Sequence, residues 1–151
     1  MIREELLQDL KALAGVPLFC VVIALAFVLG KVSLASQVIV GLVLAYALTF
    51  FIRTFYFRLR PDREKYHNYF EKINASSFPS MHAMRASVFA TLLILYFNST
   101  LLTALFIVCA LGVAVSRVMT RRHYTTDVIV GLIFGVLLAF LSVWLVARFI
   151  S

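Results

Sequence analysis

Charge is scarce in this chain: 14% of its 151 residues are Asp, Glu, Lys or Arg, and only seven of them are acidic. A soluble domain carries about a quarter charged residues and is about half apolar. With 63% hydrophobic content and a mean hydropathy of +1.00, this composition excludes a soluble globule and indicates a membrane protein. Cysteine is nearly missing. Cys20 and Cys109 both fall inside apolar runs, which excludes a disulfide framework and a cysteine metal site and leaves them as small packing residues. No internal repeat or low-complexity tract is present, so residues 1–151 read as a single domain.

The charge that is present is clustered and basic, with a net of +7. In a soluble chain that balance would suggest nucleic acid. Between apolar runs it suggests anionic lipid headgroups and a lipid phosphate substrate, with no nucleic-acid partner.

Residues 1–13 place Ile2, Leu6, Leu10 and Leu13 on one helical face and charged groups elsewhere, the pattern of an amphipathic interfacial helix. Acidic Glu4 and Glu5 argue against the basic start of a signal peptide. Apolar spans follow at about 14–30, 37–52, 78–97, 100–115 and 126–147. The second is expected to continue as helix through Arg53, Arg58 and Arg60 until Pro61 stops it. The polar stretch 62–77 reads as a loop over a site. The expected fold is an all-α membrane protein, an antiparallel bundle of about five transmembrane helices plus the N-terminal helix.

Counting crossings brings the end of the second span, the start of the third, the end of the fourth and the start of the fifth to one membrane face. Those ends carry Arg53 and Arg60, then Ser80 and His82, then Ser116 and Arg117, then His123 and Asp127. Each has an ordinary reading: headgroup anchors for the arginines, helix capping for Ser80, an interfacial histidine, a structural His–Asp bond. Structural polar residues, however, would have no reason to choose one face. His123 and Asp127 stand four apart, so at the start of a helix the carboxylate reaches one ring nitrogen and leaves the other free.

The pattern Arg53-x6-Arg60-Pro61, Pro79-Ser80-x-His82 and Ser116-Arg117-x5-His123-x3-Asp127 closely resembles the three-part signature of the type 2 phosphatidic acid phosphatase family, membrane relatives of the vanadium haloperoxidases. The motifs span residues 53–127, about half of the chain. The family usually has lysine where Arg53 stands and glycine where Met81 stands. Arg53 replaces a point charge by a fork, and Met81 still offers its backbone N–H provided its φ is negative. Family members commonly have six spans.

The resemblance implies a metal-independent lipid phosphatase without cofactor. His123, with Asp127, would form a phosphohistidine, and His82 would protonate the leaving oxygen and later activate water. Arg53, Arg60, Ser80, Met81 and Arg117 would hold the phosphate oxygens. The substrate would be phosphatidate, phosphatidylglycerol phosphate or a polyprenyl diphosphate. A metal hydrolase built on His67, His82, His123 and Asp127 is the competing enzyme, disfavoured by three arginines beside a cation. A non-catalytic anionic-lipid binder or transporter would keep the arginines but has no use for the His–Asp pair. All 14 basic residues but Lys31 and Arg148 fall on the motif side, which places the site in the cytoplasm by the positive-inside rule. The family resemblance implies an extracytoplasmic site instead.

Overall fold

The computed structural model describes residues 7, 9, 10, 12–62 and 67–149. Most of the expected interfacial helix, residues 1–13, lies outside them. Its described residues Leu7 and Leu10 are helical and line a groove against Val108, Leu111 and Val115. The elements are α1 (Val16–Val28), α2 (Val32–Phe55), α3 (Tyr69–Ala75), α4 (Met81–Phe97), α5 (Thr100–Met119) and α6 (Thr125–Phe149). Among the described residues every regular element is helical, as expected for the bilayer, where backbone polar groups are satisfied within the segment.

By length and composition α2, α5 and α6 can cross a membrane, while α1 and α4 are shorter apolar helices. The α4 helix is the axis of the bundle. Small Ala83, Ala86, Ser87 and Ala90 alternate with Met84, Val88, Leu92 and Leu93, and all are buried. A helix apolar on every side belongs in the interior. Around α4 the other helices turn wide apolar faces outward, with Phe51, Leu101, Val108 and Trp144 all more than half exposed. One core joins Phe19, Leu34, Val38, Met84, Val88 and Leu138 from α1, α2, α4 and α6. A second, Ala83, Ala114 and Val128, ties α4, α5 and α6 just below the polar end.

Two glycines set how near α4 and α6 come. A Cβ on Gly131 would stand 2.6 Å from the Ser80 carbonyl oxygen, and one on Gly135 would collide with the Met84 carbonyl. This small-residue approach lets backbones pack closely where lipid gives no hydrophobic drive. It also carries the start of α4 against the start of α6, where the Ser80 N–H donates to the Asp127 carbonyl at 3.0 Å.

The second span departs from expectation. Its helix ends at Phe55 and does not reach Pro61, because Tyr56 turns to an extended φ of −130°. Residues 56–60 then run beside 76–77: the Ser77 N–H donates to the Arg58 carbonyl at 2.7 Å, and the Arg58 N–H to Ser76 Oγ at 3.3 Å. Tyr56 meets Phe78 edge to face at 5.4 Å. Arg53 and Arg60 therefore do not share a helix face. Within the polar stretch 62–77 the chain forms α3, capped by Asn68, whose side chain accepts from the Glu71 N–H.

Candidate active site

The ends of α2, α4, α5 and α6 meet around a cavity of about 570 Å³, lined among others by Arg53, Arg60, Asn74, Met81, His82, Arg117 and His123. Convergence of these ends on one face, expected from parity, is what the chain adopts.

The charge of Arg53 is oriented by backbone carbonyls. Arg53, only 6% exposed, donates from Nη1 to the carbonyls of Ile73 at 3.3 Å and Asn74 at 3.4 Å, and from Nη2 to the Pro79 carbonyl at 2.9 Å. Arg60 Nη2 reaches the same Asn74 carbonyl at 2.5 Å. The two arginines thus converge through one carbonyl, without the helical register that the seven-residue spacing suggested. Carbonyls orient a guanidinium but do not cancel its charge, so the cavity keeps a net attraction for an anion. Arg117 is buried from the α5 side, and the Nε atoms of Arg53 and Arg117 are buried with no hydrogen-bond partner among the described residues. Arg122, at the rim, pairs with Asp62 at 3.1 Å.

Ser80 is fully buried at the N-cap of α4, and its Oγ has no partner among the described residues. Arg53 and Arg117 line the cavity, whereas Ser80 stands next to the lining residue Met81. Met81 lines the cavity as the first residue of α4. Its φ is negative, as the only described non-glycine residues at positive φ are Asn98 and Arg121, so replacing the family's usual glycine brings no backbone strain here. His82, half-buried one residue further, faces the same cavity.

His123 lies between α5 and α6 and is 3% exposed. Its Nδ1 stands 2.6 Å from the Ser77 carbonyl oxygen. A carbonyl only accepts, so Nδ1 carries the proton and Nε2 keeps its lone pair. Burial, followed by the charges of Arg60, Arg117 and Arg53, pushes the imidazole down to about 3, while the Ser77 carbonyl pulls the other way. The ring is neutral across the physiological range.

Asp127 does not bond His123 directly as the four-residue spacing suggested; its Oδ2 is 4.0 Å from Nδ1. The helix begins at Thr125, after His123, so the pair straddles the turn rather than stacking on a helical face. The fully buried carboxylate instead takes Arg58 Nη1 at 2.6 Å, the Ser77 hydroxyl and the Tyr124 N–H at 3.0 Å. Asp127 holds Ser77, and the Ser77 carbonyl holds His123. The last contact reaches back to the residue ahead of α6, as in a capping box.

Sequence reasoning missed Arg58 and Ser77. Arg58 also donates to Thr126 Oγ1 at 2.8 Å and lies 4.2 Å over the Tyr124 ring. It was one of several boundary arginines, and nothing in its spacing singled it out. Ser116, paired with Arg117 in the motif, turns its hydroxyl to the Val113 carbonyl at 2.7 Å and serves the helix.

Known proteins agree with this architecture. A lipid A 1-phosphatase of Rhizobium johnstonii is 35% identical over 99 residues, 60% of this chain and 39% of that protein, so the chain spans about two fifths of this relative's length. The crystal structure of Aquifex aeolicus LpxE superposes with a TM-score of 0.79 at 20% identity, covering 95% of this chain and 86% of that one, a likeness of fold. A transmembrane PAP2-type phosphatidylglycerolphosphate phosphatase of Bacillus subtilis superposes with a TM-score of 0.75 at 25% identity, over 96% of this chain and 77% of that one. The family model of the PAP2 superfamily matches residues 34–151, which takes in every helix end that builds the cavity, and this integral membrane chain belongs to that superfamily.

Proposed function

We propose that this chain is a single-domain lipid phosphatase that crosses the membrane five times and removes phosphate through a phosphohistidine on His123. The observation that carries the reading is the Ser77 carbonyl on Nδ1, which leaves a neutral Nε2 beside a cavity lined by Arg53, Arg60 and Arg117. Nε2 attacks phosphorus in line as the bond to the lipid oxygen breaks, and His82 gives that oxygen its proton. His82 then takes a proton from water, whose oxygen displaces His123 and releases inorganic phosphate. Arg53, Arg60, Arg117, the Ser80 hydroxyl and the Met81 N–H hold the non-bridging oxygens as charge redistributes. Asp127 acts through Ser77. The arginines supply the charge that a metal supplies in other phosphatases. The metal-hydrolase alternative needs Asp127 as a ligand, and its carboxylate is already engaged by Arg58, Ser77 and the Tyr124 N–H.

The test is phosphate release by purified protein from phosphatidate, phosphatidylglycerol phosphate, polyprenyl diphosphate and lipid A 1-phosphate, in excess chelator. Release continues and vanadate inhibits it; chelator-sensitive turnover restored by zinc or magnesium would support the metal hydrolase instead. His123→Ala abolishes release and covalent labelling. More than about a hundredth of the wild-type rate remaining in that variant rules the covalent scheme out.

For orientation, the basic excess at the site end argues for a cytoplasmic site. The α6 helix starts at the site and, at 25 residues, ends on the far face. An alkaline phosphatase fused after Ser151 is then active and a fluorescent protein dark. The opposite pair of signals places the site outside.

A further inference from the structure

Arg85 is a cation that the scheme above does not use. It sits on α4 one turn, about 5 Å, inside from His82 and is 5% exposed. Its Nη1 donates to the Tyr46 hydroxyl at 2.6 Å, and its guanidinium carbon lies 5.5 Å from the Tyr46 ring centre. Its Nε is buried without a partner, and among the described residues no carboxylate pairs with it. A phenol is neutral, so the charge stays uncompensated and is near enough to Arg117 to repel it. A headgroup anchor would send such a side chain outward along the lipid face. Arg85 is instead enclosed by protein, where an intramembrane cation marks a path for something charged.

Tyr46 lines a groove of about 400 Å³ with Thr49, Phe50 and Ile73, and this groove shares Arg53, Asn74 and Met81 with the phosphate cavity. From Arg53 it follows α2 inward for about 10 Å to Tyr46. A lipid whose phosphate lies in the cavity has this route for its leaving half, and Arg85 stands behind its wall, joined to it through the Tyr46 hydroxyl.

Resting on the phosphatase reading, we propose that Arg85 and Tyr46 bind a second phosphate anion carried on the leaving side of the lipid, so that the chain selects substrates whose leaving group is itself charged. Arg85 supplies the cation. Tyr46, whose oxygen accepts from Arg85, has its own proton free to donate to the same anion. A polyprenyl diphosphate, leaving as a monophosphate, and phosphatidylglycerol phosphate, leaving as a phosphodiester, both carry the second anion. Phosphatidate leaves as neutral diacylglycerol.

The experiment compares kcat and KM of the full chain on these three lipids for wild type, Arg85→Gln, Arg85→Lys and Tyr46→Phe. Arg85→Gln raises KM on the second-phosphate lipids about tenfold more than on phosphatidate, the worth of one charge-assisted contact, and Arg85→Lys recovers part of it. Tyr46→Phe moves the same ratio in the same direction by less. Whichever of the two charged lipids responds names the source of the anion. An equal loss on all three lipids, or none on any, overturns the proposal and leaves Arg85 a tie between α2 and α4. If Arg85→Gln does not fold, Tyr46→Phe decides alone, as it removes one oxygen and keeps the ring. Thermal shift of His123→Ala by the same lipids, with and without Tyr46→Phe, reads the preference without turnover. A His123→Ala variant that still turns over sinks the phosphatase mechanism while leaving the lipid ratio to judge Arg85.

Discussion

The two ends of the helical bundle close by the same backbone geometry with different residues. At the end of α1 the Lys31 N–H bonds the Ala26 carbonyl and the Gly30 N–H bonds the Phe27 carbonyl, with Gly30 at φ 70°. At the end of α5 the Arg122 N–H bonds the Arg117 carbonyl and the Arg121 N–H bonds the Val118 carbonyl, with Arg121 at φ 55°. Both are Schellman endings, for which glycine at the left-handed position has no Cβ penalty and arginine does. The far end uses residues suited to their turns, with Asn98 left-handed between α4 and α5. The site end keeps a strained arginine two residues before His123 and is held by bonds across the chain: Arg58 to Asp127 over 69 residues, His123 to Ser77 over 46. Local fit closes one end, and tertiary bonding holds the other in a conformation its residues would not choose alone.

If that contrast is right, the largest loss of stability comes from cutting the long-range bonds. Asp127→Ala leaves the buried Ser77 hydroxyl and the Tyr124 N–H without their acceptor and Arg58 without its counter-ion. It costs about 3 kcal/mol, read as a lowered melting temperature in detergent, and removes activity with it. An Asp127→Ala protein that melts with the wild type would break the comparison.

Next comes the close approach that brings the site end together. Gly131→Ala drives a Cβ into the Ser80 carbonyl, which is backbone and cannot swing aside. A cost of about 1–3 kcal/mol is expected, with a fall in kcat because the start of α4 carries Ser80 and His82. Gly112→Ala is the control, since its new Cβ meets only the movable end of Leu10. Equal effects from the two would deny Gly131 any special role.

The pH response sharpens the contrast further. His123 titrates near 3 when folded and near 6.5 when unfolded, so between those values the unfolded chain binds the extra proton. The contribution of neutral His123 is fully present above pH 6.5 and is lost as pH falls toward 3. Melting temperature should therefore rise with pH in that window, and the slope should flatten in His123→Asn. An unchanged slope would mean that His123 is not buried in its neutral form.

The smallest effect tests the turns themselves. Arg121→Gly relieves the left-handed strain and stabilises by about 1 kcal/mol, whereas Gly30→Ala destabilises by a similar amount. A loss on Arg121→Gly would show that the Arg121 side chain holds the turn through contacts of its own.

Much of the architecture was legible because hydropathy is written along the chain. The apolar runs and the turn at Asn98 correspond to helices and their connections within a few residues, and the parity of those runs was enough to gather Arg53, Ser80, Arg117 and His123 at one end. Legibility failed where a short-range rule met a long-range competitor. Continuing α2 to Pro61 followed local propensity, but residues 56–60 found partners in 76–77. A direct His123–Asp127 bond followed from helical spacing, but the helix starts two residues too late and Ser77 supplies a closer acceptor.

The sequence by itself determined a helical membrane chain, one polar end and the residue types that meet there, because hydrophobicity and spacing are one-dimensional properties. Only the tertiary structure decided that a carbonyl at Ser77 sets the His123 tautomer, that Arg58 neutralises Asp127, and that Arg85 is enclosed with no acid beside it among the described residues. Those pairings join residues dozens of positions apart, and packing around α4, with no trace in local spacing, selects among the boundary arginines which one meets which partner.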